Sequence, residues 1–332
     1  IFKDLFNLDF SAFENFYGSS SCCHLINEYE NDSYGSKQFN ERISSRLNTL
    51  SNLLAASNSP EEFMKHMVDF YKDYGVGKLG LHKAFRLEHG LNDQRVKIVP
   101  ITKIAHVHLD DLAGYEIAKK KLIDNTEAFL NGKPANNCLL FGDAGTGKSS
   151  CIKAILNQYY DRGLRIIEVY KHQFKDLNDV IAQIKNRNYK FIIYMDDLSF
   201  EDFEIEYKYL KAVIEGGLER KPDNILIYAT SNRRHLVREK FSDKADRDDD
   251  LHTNDTVQEK LSLVYRFGVT IYFGSPSKKE FQQIVLTLAQ KHGLHMDQEE
   301  LFQQANAWEL RHGGLSGRTA QQFIDYLLGQ QA

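Results

Sequence analysis

Residues 138–149 read CLLFGDAGTGKS, and three kinds of segment meet there. Cys138 to Phe141 is a short apolar run of strand type. Gly142 to Ser149 is glycine-rich, and Ser150 to Tyr160 (SCIKAILNQYY) repeats apolar residues at helical spacing. A glycine-rich turn between a strand and a helix is a cradle for a phosphate chain. Gly142, Gly145 and Gly147 can take the backbone angles and the close approach that converging N–H groups require. The helix that follows aims its positive end into the same space. Lys148 then has the charge to neutralise β/γ-phosphate oxygens, and the Ser149 hydroxyl has the chemistry to coordinate Mg²⁺. The competing reading is a glycine-rich turn that binds nothing. The stretch Gly142, Asp143, Ala144, Gly145, Thr146, Gly147, Lys148, Ser149 and Ser150 is the candidate phosphate site.

Working outward, short apolar runs recur between longer amphipathic ones: RIIEVY (165–170), FIIYMDD (191–197), ILIYATSN (225–232) and VTIYFGS (269–275). LNDVIAQIKNRN and FEIEYKYLKAVIEGGLER lie between them with helical spacing. Continuous apolar strands separated by helices predict a parallel sheet covered on both faces, here of five strands. After Pro276 the runs are helical: KKEFQQIVLTLAQKHG, DQEELFQQANAWELRHG and GRTAQQFIDYLLG. Before residue 99 the chain is rich in Phe, Tyr and Leu, broken by GSSS (18–21) and ENDSYGSK (30–37). Ile43, Leu47, Leu50 and Leu54 mark one helix, and Ser59, Pro60 and Glu62 open another. The expected organisation is a mainly helical N-terminal region (1–98), a nucleotide-binding α/β domain (99–275) and a C-terminal helical lid (276–332).

Composition narrows the function classes. In 332 residues, 42% are apolar and 27% charged, the range of a globular protein, and the length favours more than one domain. The 42 Lys and Arg against 46 Asp and Glu argue against a globally basic nucleic-acid coat. No apolar stretch approaches the roughly 18 residues of a membrane span, so no membrane partner and a cytoplasmic location are expected. Cys22, Cys23, Cys138 and Cys151 lack metal-ligand spacing; vicinal Cys22 and Cys23 read as ordinary reduced thiols, with a redox pair as the alternative.

FIIYMDD ends a buried strand in two carboxylates. Beside a phosphate loop, Asp196 is typed to hold Mg²⁺ through its water shell, and Asp197 to orient or deprotonate the attacking water. The order of phosphate loop, apolar strand ending in Asp-Asp, ATSN, KLSLVYRFG and GLSGRTAQQF resembles the AAA+ ATPases. It is most similar to their replication-initiator and helicase-loader branch, and closer still to a bacterial AAA+ family of unassigned function. The resemblance covers roughly residues 99–330.

That resemblance implies ATP or ADP with Mg²⁺ as cofactors, and hydrolysis coupled to remodelling or loading of a macromolecular partner, protein or DNA. It implies a homo-oligomer, at least transiently. It makes Asn232 sensor 1, between the γ-phosphate and the water; the alternative is an Asn cap at a strand-to-helix turn. Arg266 matches the arginine finger that reaches a neighbouring subunit's γ-phosphate, against a surface Arg in an intrachain ion pair. Arg318 matches sensor 2 on the lid, with a similar alternative. LDDLAGYE (109–116) resembles the segment lining the adenine pocket, which assigns Ala113 and Gly114 there. Many AAA+ proteins carry Glu at the second acidic position; Asp197 sets the carboxylate about one methylene further back, so slow turnover is expected, although the initiator branch also carries Asp-Asp.

Other readings stay open. A nucleotide-gated binding module or scaffold would keep the same loop with little hydrolysis. A small-molecule phosphotransferase fits the loop but leaves the sensor and finger positions unexplained. GTP is disfavoured because no NKxD element follows the sheet. Arg233, Arg234 and the charged stretch 233–259 read as an exposed loop, with a partner contact as the alternative. His292 and His295 have no ligand partners in the sequence, and Trp308 reads as core.

Overall fold

The continuous apolar runs form strands of a single sheet, and their degree of burial follows their place in it. In the computed structural model the described residues are 1–8, 41–74, 77–90, 93–200, 204–216, 222–232, 236 and 263–330. They divide into two units, Ile1–His82 and Lys83–Ala332. GSSS, ENDSYGSK, Cys22, Cys23, Arg233, Arg234 and all of 233–259 except Leu236 lie outside the described residues.

The first unit holds helices α1 (Phe2–Phe6), α2 (Glu41–Ala55), α3 (Pro60–Tyr74) and α4 (Lys78–Leu81). The start of α3 is fixed locally. Ser59 Oγ accepts the Glu62 N–H at 3.2 Å, and the Glu62 carboxylate accepts the Asn58 N–H at 3.0 Å. Phe6 meets Phe63 edge to face at 6.0 Å.

The second unit is built on β1 (Ala84–Gly90), β2 (Asp93–Ile101), β3 (Cys138–Gly142), β4 (Leu164–Glu168), β5 (Lys190–Met195), β6 (Ile225–Ser231) and β7 (Val269–Phe273). Their order is β2-β1-β4-β5-β6-β3-β7. The five strands expected from the apolar runs are β3 to β7, and every pairing among them is parallel. The sheet nevertheless has seven strands rather than five. The additional pair is the antiparallel hairpin β1–β2, joined in parallel to β4 through β1. It comes from the end of the stretch read as helical, and the reason is its pattern. Phe85, Leu87, Val96 and Ile98 point inward while Arg86, Glu88, Arg95 and Lys97 are exposed. The exposed face of each strand therefore carries charge, which interrupts any continuous apolar run and hides the period of two. Pro100 is tolerated because β2 is an edge strand.

Central β6 is buried at every position, whereas edge β7 alternates between buried and exposed residues. Helices α5 (Glu116–Leu130), α6 (Lys148–Tyr159), α7 (Leu177–Ile184) and α8 (Ile205–Glu215) connect the strands. Leu122, Phe129, Ile152, Ile155 and Tyr159 pack with Leu140, Tyr194 and Tyr228 into the main core. Three helices follow β7: α9 (Lys278–Lys291), α10 (Gln298–Glu309) and α11 (Gly317–Gln330). Ser277 and Glu280 form a reciprocal capping box that starts α9, and Asp297 caps α10. Phe281, Val285, Leu301, Phe323 and Ile324 form a second core inside this bundle, with Trp308 packed against it. Among the described residues no helix is long and apolar enough to cross a membrane.

Candidate functional site

Strand order makes the site. β3 lies between β6 and β7 although β4 and β5 follow it in sequence, so the C-terminal ends of β5, β6 and β3 stand side by side. Such a switch in strand order leaves a crevice at the strand ends, where ligands of open α/β sheets bind. Here the crevice receives Asp196 and Asp197 after β5, Asn232 after β6 and the glycine-rich loop after β3.

The loop requires its glycines for different reasons. Gly142 has φ +136°, and a Cβ there would stand 2.0 Å from the Phe273 carbonyl oxygen, so β7 leaves no room for a side chain. Gly147 has φ +90° with open space around it; it is the residue before α6, and only backbone angle constrains it. Lys148 is the first residue of α6 and is buried. Its Nζ donates to Gly142 O at 3.0 Å, to Asp143 O at 2.6 Å and to Asn232 Oδ1 at 3.0 Å. Burial pushes the ammonium below the usual lysine range, opposed by the carboxylates of Asp143, Asp197 and Asp196.

Asn232 links the two halves. Its Oδ1 accepts from Lys148, and its Nδ2 donates to Asp197 Oδ1 at 2.7 Å. A lysine only donates and a carboxylate only accepts, so this pair of partners fixes the amide's orientation. Its side chain thus runs between cation and acid. Asp197 takes φ +48°, a left-handed conformation that Asp tolerates better than most residues, and its N–H donates to Thr230 Oγ1 at 3.0 Å. Asp196 Oδ1 accepts from Ser149 at 2.7 Å, from Tyr194 at 2.6 Å and from Thr230 at 2.5 Å. Burial raises the Asp196 carboxyl, but these three hydroxyls together outweigh it and hold the group below its ordinary value.

The rest of the bundle closes the crevice into a cavity of about 740 Å³, within the usual range for small-molecule sites. Ala144, Gly145, Thr146, Ser149 and Ser150 line it from the loop, and Ala113 and Gly114 line it before α5. Ile284, Leu288 and Lys291 come from α9, Arg318 and Gln321 from α11. Polar contacts among the described residues tie the bundle to the sheet domain. The Arg318 N–H donates to Gly145 O at 3.1 Å, and Lys291 pairs with Asp111 at 2.6 Å. At the hinge after β7, Ser275 donates through both its N–H (2.7 Å) and its hydroxyl (2.8 Å) to Asp143, holding that carboxyl below the usual range. Tyr115 OH donates to Gly274 O at 2.9 Å, and burial pushes this phenol up to about 12.

Arg266 is placed differently. It pairs with Glu215 of α8 at 2.5 Å and is not among the residues lining this cavity. His292 and His295 are likewise outside the lining. Sequence reasoning overlooked Thr230, Tyr194, Ser275 and Tyr115. Tyr194 and Thr230 carry a usable signal, since each precedes a recognised site residue by two positions on a strand and so shares its face. Ser275 and Tyr115 carry none, because their partners are remote in sequence.

The donor set suits a nucleotide with its cation. Among the described residues no group of three or more His, Cys, Asp or Glu could hold an ion alone. One hydroxyl and one carboxylate, Ser149 and Asp196, fit Mg²⁺, which takes few protein ligands and completes its shell with water and phosphate oxygens.

The family model described as "Protein of unknown function (DUF815)" matches residues 80–331, and the chain belongs to that family. The large subunit of replication factor C from Staphylothermus marinus is 36% identical over 81 residues, which are 24% of this chain and 18% of that protein. The chain therefore matches less than a fifth of that relative's length. Among solved structures, a RuvB mutant from Thermotoga maritima is 17% identical over 68% of this chain and 67% of that one, with a TM-score of 0.47. The Thermotoga maritima RuvB Holliday junction branch migration motor is 14% identical over 66% and 72%, with a TM-score of 0.41.

Proposed function

We propose that this member of the DUF815 family is an AAA+ protein that binds ATP with Mg²⁺ and hydrolyses it to remodel or load a macromolecular partner, protein or DNA. The observation that carries this reading is the bridge Lys148–Asn232–Asp197 beside Ser149–Asp196. It joins the phosphate loop to a water-activating acid inside one cavity.

In this reading the loop N–H groups and Lys148 bind the phosphate chain, and Lys148 exchanges its carbonyl acceptors for phosphate oxygens. Ser149 and Asp196 would hold Mg²⁺, which would offset the charge of the phosphate chain. Asp197 accepts a proton from, or orients, the attacking water while Asn232 holds its carboxylate in place. Arg318 carries the state of the nucleotide to the lid. Arg266 acts on a neighbouring subunit's site, so the protein works as a homo-oligomer, and its Glu215 pair is then exchanged for phosphate oxygens.

Three variants test the division of labour. Lys148→Ala abolishes binding of a fluorescent ATP analogue. Asp197→Ala and Arg266→Ala keep binding and lower phosphate release, by about 10²-fold or more for the acid and about 10³-fold or more for the finger. Full activity of Arg266→Ala at self-associating concentrations eliminates the finger. The second reading, a nucleotide-gated binding module or scaffold, is favoured by the short acid Asp197, whose Oδ1 already accepts from Asn232. Wild-type phosphate release no faster than that of Lys148→Ala, with and without DNA, selects it.

A further inference from the structure

We propose that Tyr194 and Thr230 are positioning residues that fix which oxygen of Asp196 is offered to the cation, and so set how much Mg²⁺ the site needs. The inference rests on the nucleotide-binding reading above and deepens it. Asp196 directly follows β5, and its Oδ1 accepts three hydroxyl hydrogen bonds of 2.7 Å or less. A carboxylate oxygen has two lone pairs, so three short donors fill Oδ1 completely. Among the described residues no hydrogen bond ends on Oδ2. The carboxylate is thereby turned with one oxygen spoken for and the other left for a ligand.

The three donors are not equivalent. Ser149 belongs to the loop, and its hydroxyl is itself typed to bind the cation. Once it does so, the orientation of Asp196 depends on Tyr194 and Thr230. Both are rigidly held. Tyr194 is a buried residue of β5, between β4 and β6, and Thr230 is 1% exposed in β6. Thr230 uses its hydroxyl twice. It donates to Asp196 and accepts from the Asp197 N–H, so one side chain fastens the turn bearing both acids to the neighbouring strand. Both residues donate to Asp196, so their influence on the cation runs through that carboxylate.

Removing an outer hydrogen-bond partner of a metal ligand typically costs about 10- to 100-fold in metal affinity. The test titrates Mg²⁺ into full-length protein with a fluorescent ATP analogue and compares binding in EDTA. Tyr194→Phe and Thr230→Val each raise the half-saturating Mg²⁺ by about 10-fold while binding in EDTA stays at the wild-type level. Thr230→Ser, which keeps the hydroxyl, stays near wild type. A purely packing role would give the reverse order, because Val keeps the branched shape that Ser loses, and unfolding of each nucleotide-free variant by heat reports folding independently. An unchanged Mg²⁺ requirement in both Tyr194→Phe and Thr230→Val, with EDTA binding intact, overturns the positioning role and leaves the nucleotide reading standing. Equal binding by wild type and Lys148→Ala overturns both.

Discussion

Gly142 and Gly147 belong to one motif, yet replacing each by Ala should have unequal consequences. At Gly142 the added Cβ would lie 2.0 Å from Phe273 O, 2.7 Å from its carbonyl carbon and 3.0 Å from its nitrogen. All three are backbone atoms of the paired edge strand, so no side chain can swing away. Phe273 O also accepts the Asp143 N–H at 2.9 Å, a bond the methyl would displace. The cost has three parts. The positive φ of +136° costs about 1–2 kcal/mol in an Ala. The lost hydrogen bond costs about 1 kcal/mol, and forcing β3 from β7 about 1–3 kcal/mol. The sum is about 3–6 kcal/mol, which for a unit of this size lowers the melting temperature by on the order of 10 °C. Gly147→Ala meets open space, so only the backbone term of about 1–2 kcal/mol applies and the drop is a few degrees. Thermal unfolding of the nucleotide-free variants, followed by far-UV circular dichroism, measures both. A drop for Gly142→Ala no larger than that for Gly147→Ala refutes the claim that β7, rather than the phosphate, dictates glycine at 142.

Three further outcomes follow from the packing of the same unit. The Lys291–Asp111 pair bridges the helical bundle and the sheet domain at the cavity, and such partly exposed pairs contribute about 0.2–1 kcal/mol, so Lys291→Ala should speed release of a fluorescent ADP analogue by about 1.5- to 5-fold; an unchanged rate excludes a part for this pair in retaining nucleotide. The Lys291 and His108 hydrogen bonds hold the Asp111 carboxyl below its ordinary range. Its stabilisation is therefore complete above the ordinary carboxylate value of about 4 and fades as pH falls through the lowered folded value; wild type and Asp111→Asn should differ in melting temperature at pH 7 and converge in acid. Cys138 and Cys151 are buried, with burial pushing Cys151 up to about 12 and Cys138 higher than an ordinary thiol. Neither should be alkylated by iodoacetamide in the folded protein, and mass spectrometry showing labelling as fast as in urea would contradict this burial.

The glycine-rich loop and the strands around it are legible in the amino-acid sequence alone. GDAGTGKS between a strand and a helix is a local arrangement, β3 to β6 are legible because strands buried on both faces must be apolar throughout, and edge β7 because its exposed residues, Thr270 and Tyr272, are uncharged. The cap Ser59 is legible as well, since a cap acts within one helical turn. The hairpin β1–β2 escaped because one exposed face dilutes its apolar residues with charge. Which strand ends are neighbours follows from the packing of the sheet. The adjacency of β6 and β3 brings Asn232 to Lys148, and that of β6 and β5 brings Asn232 to Asp197 and Thr230 onto Asp196, across separations in sequence that no periodicity encodes. That packing also decided that Gly142 answers to Phe273 and Asp143 to Ser275. Local propensities act over a few residues, whereas hydrogen bonds between strand ends depend on the order of strands in the sheet, and that order is a property of the whole packed chain.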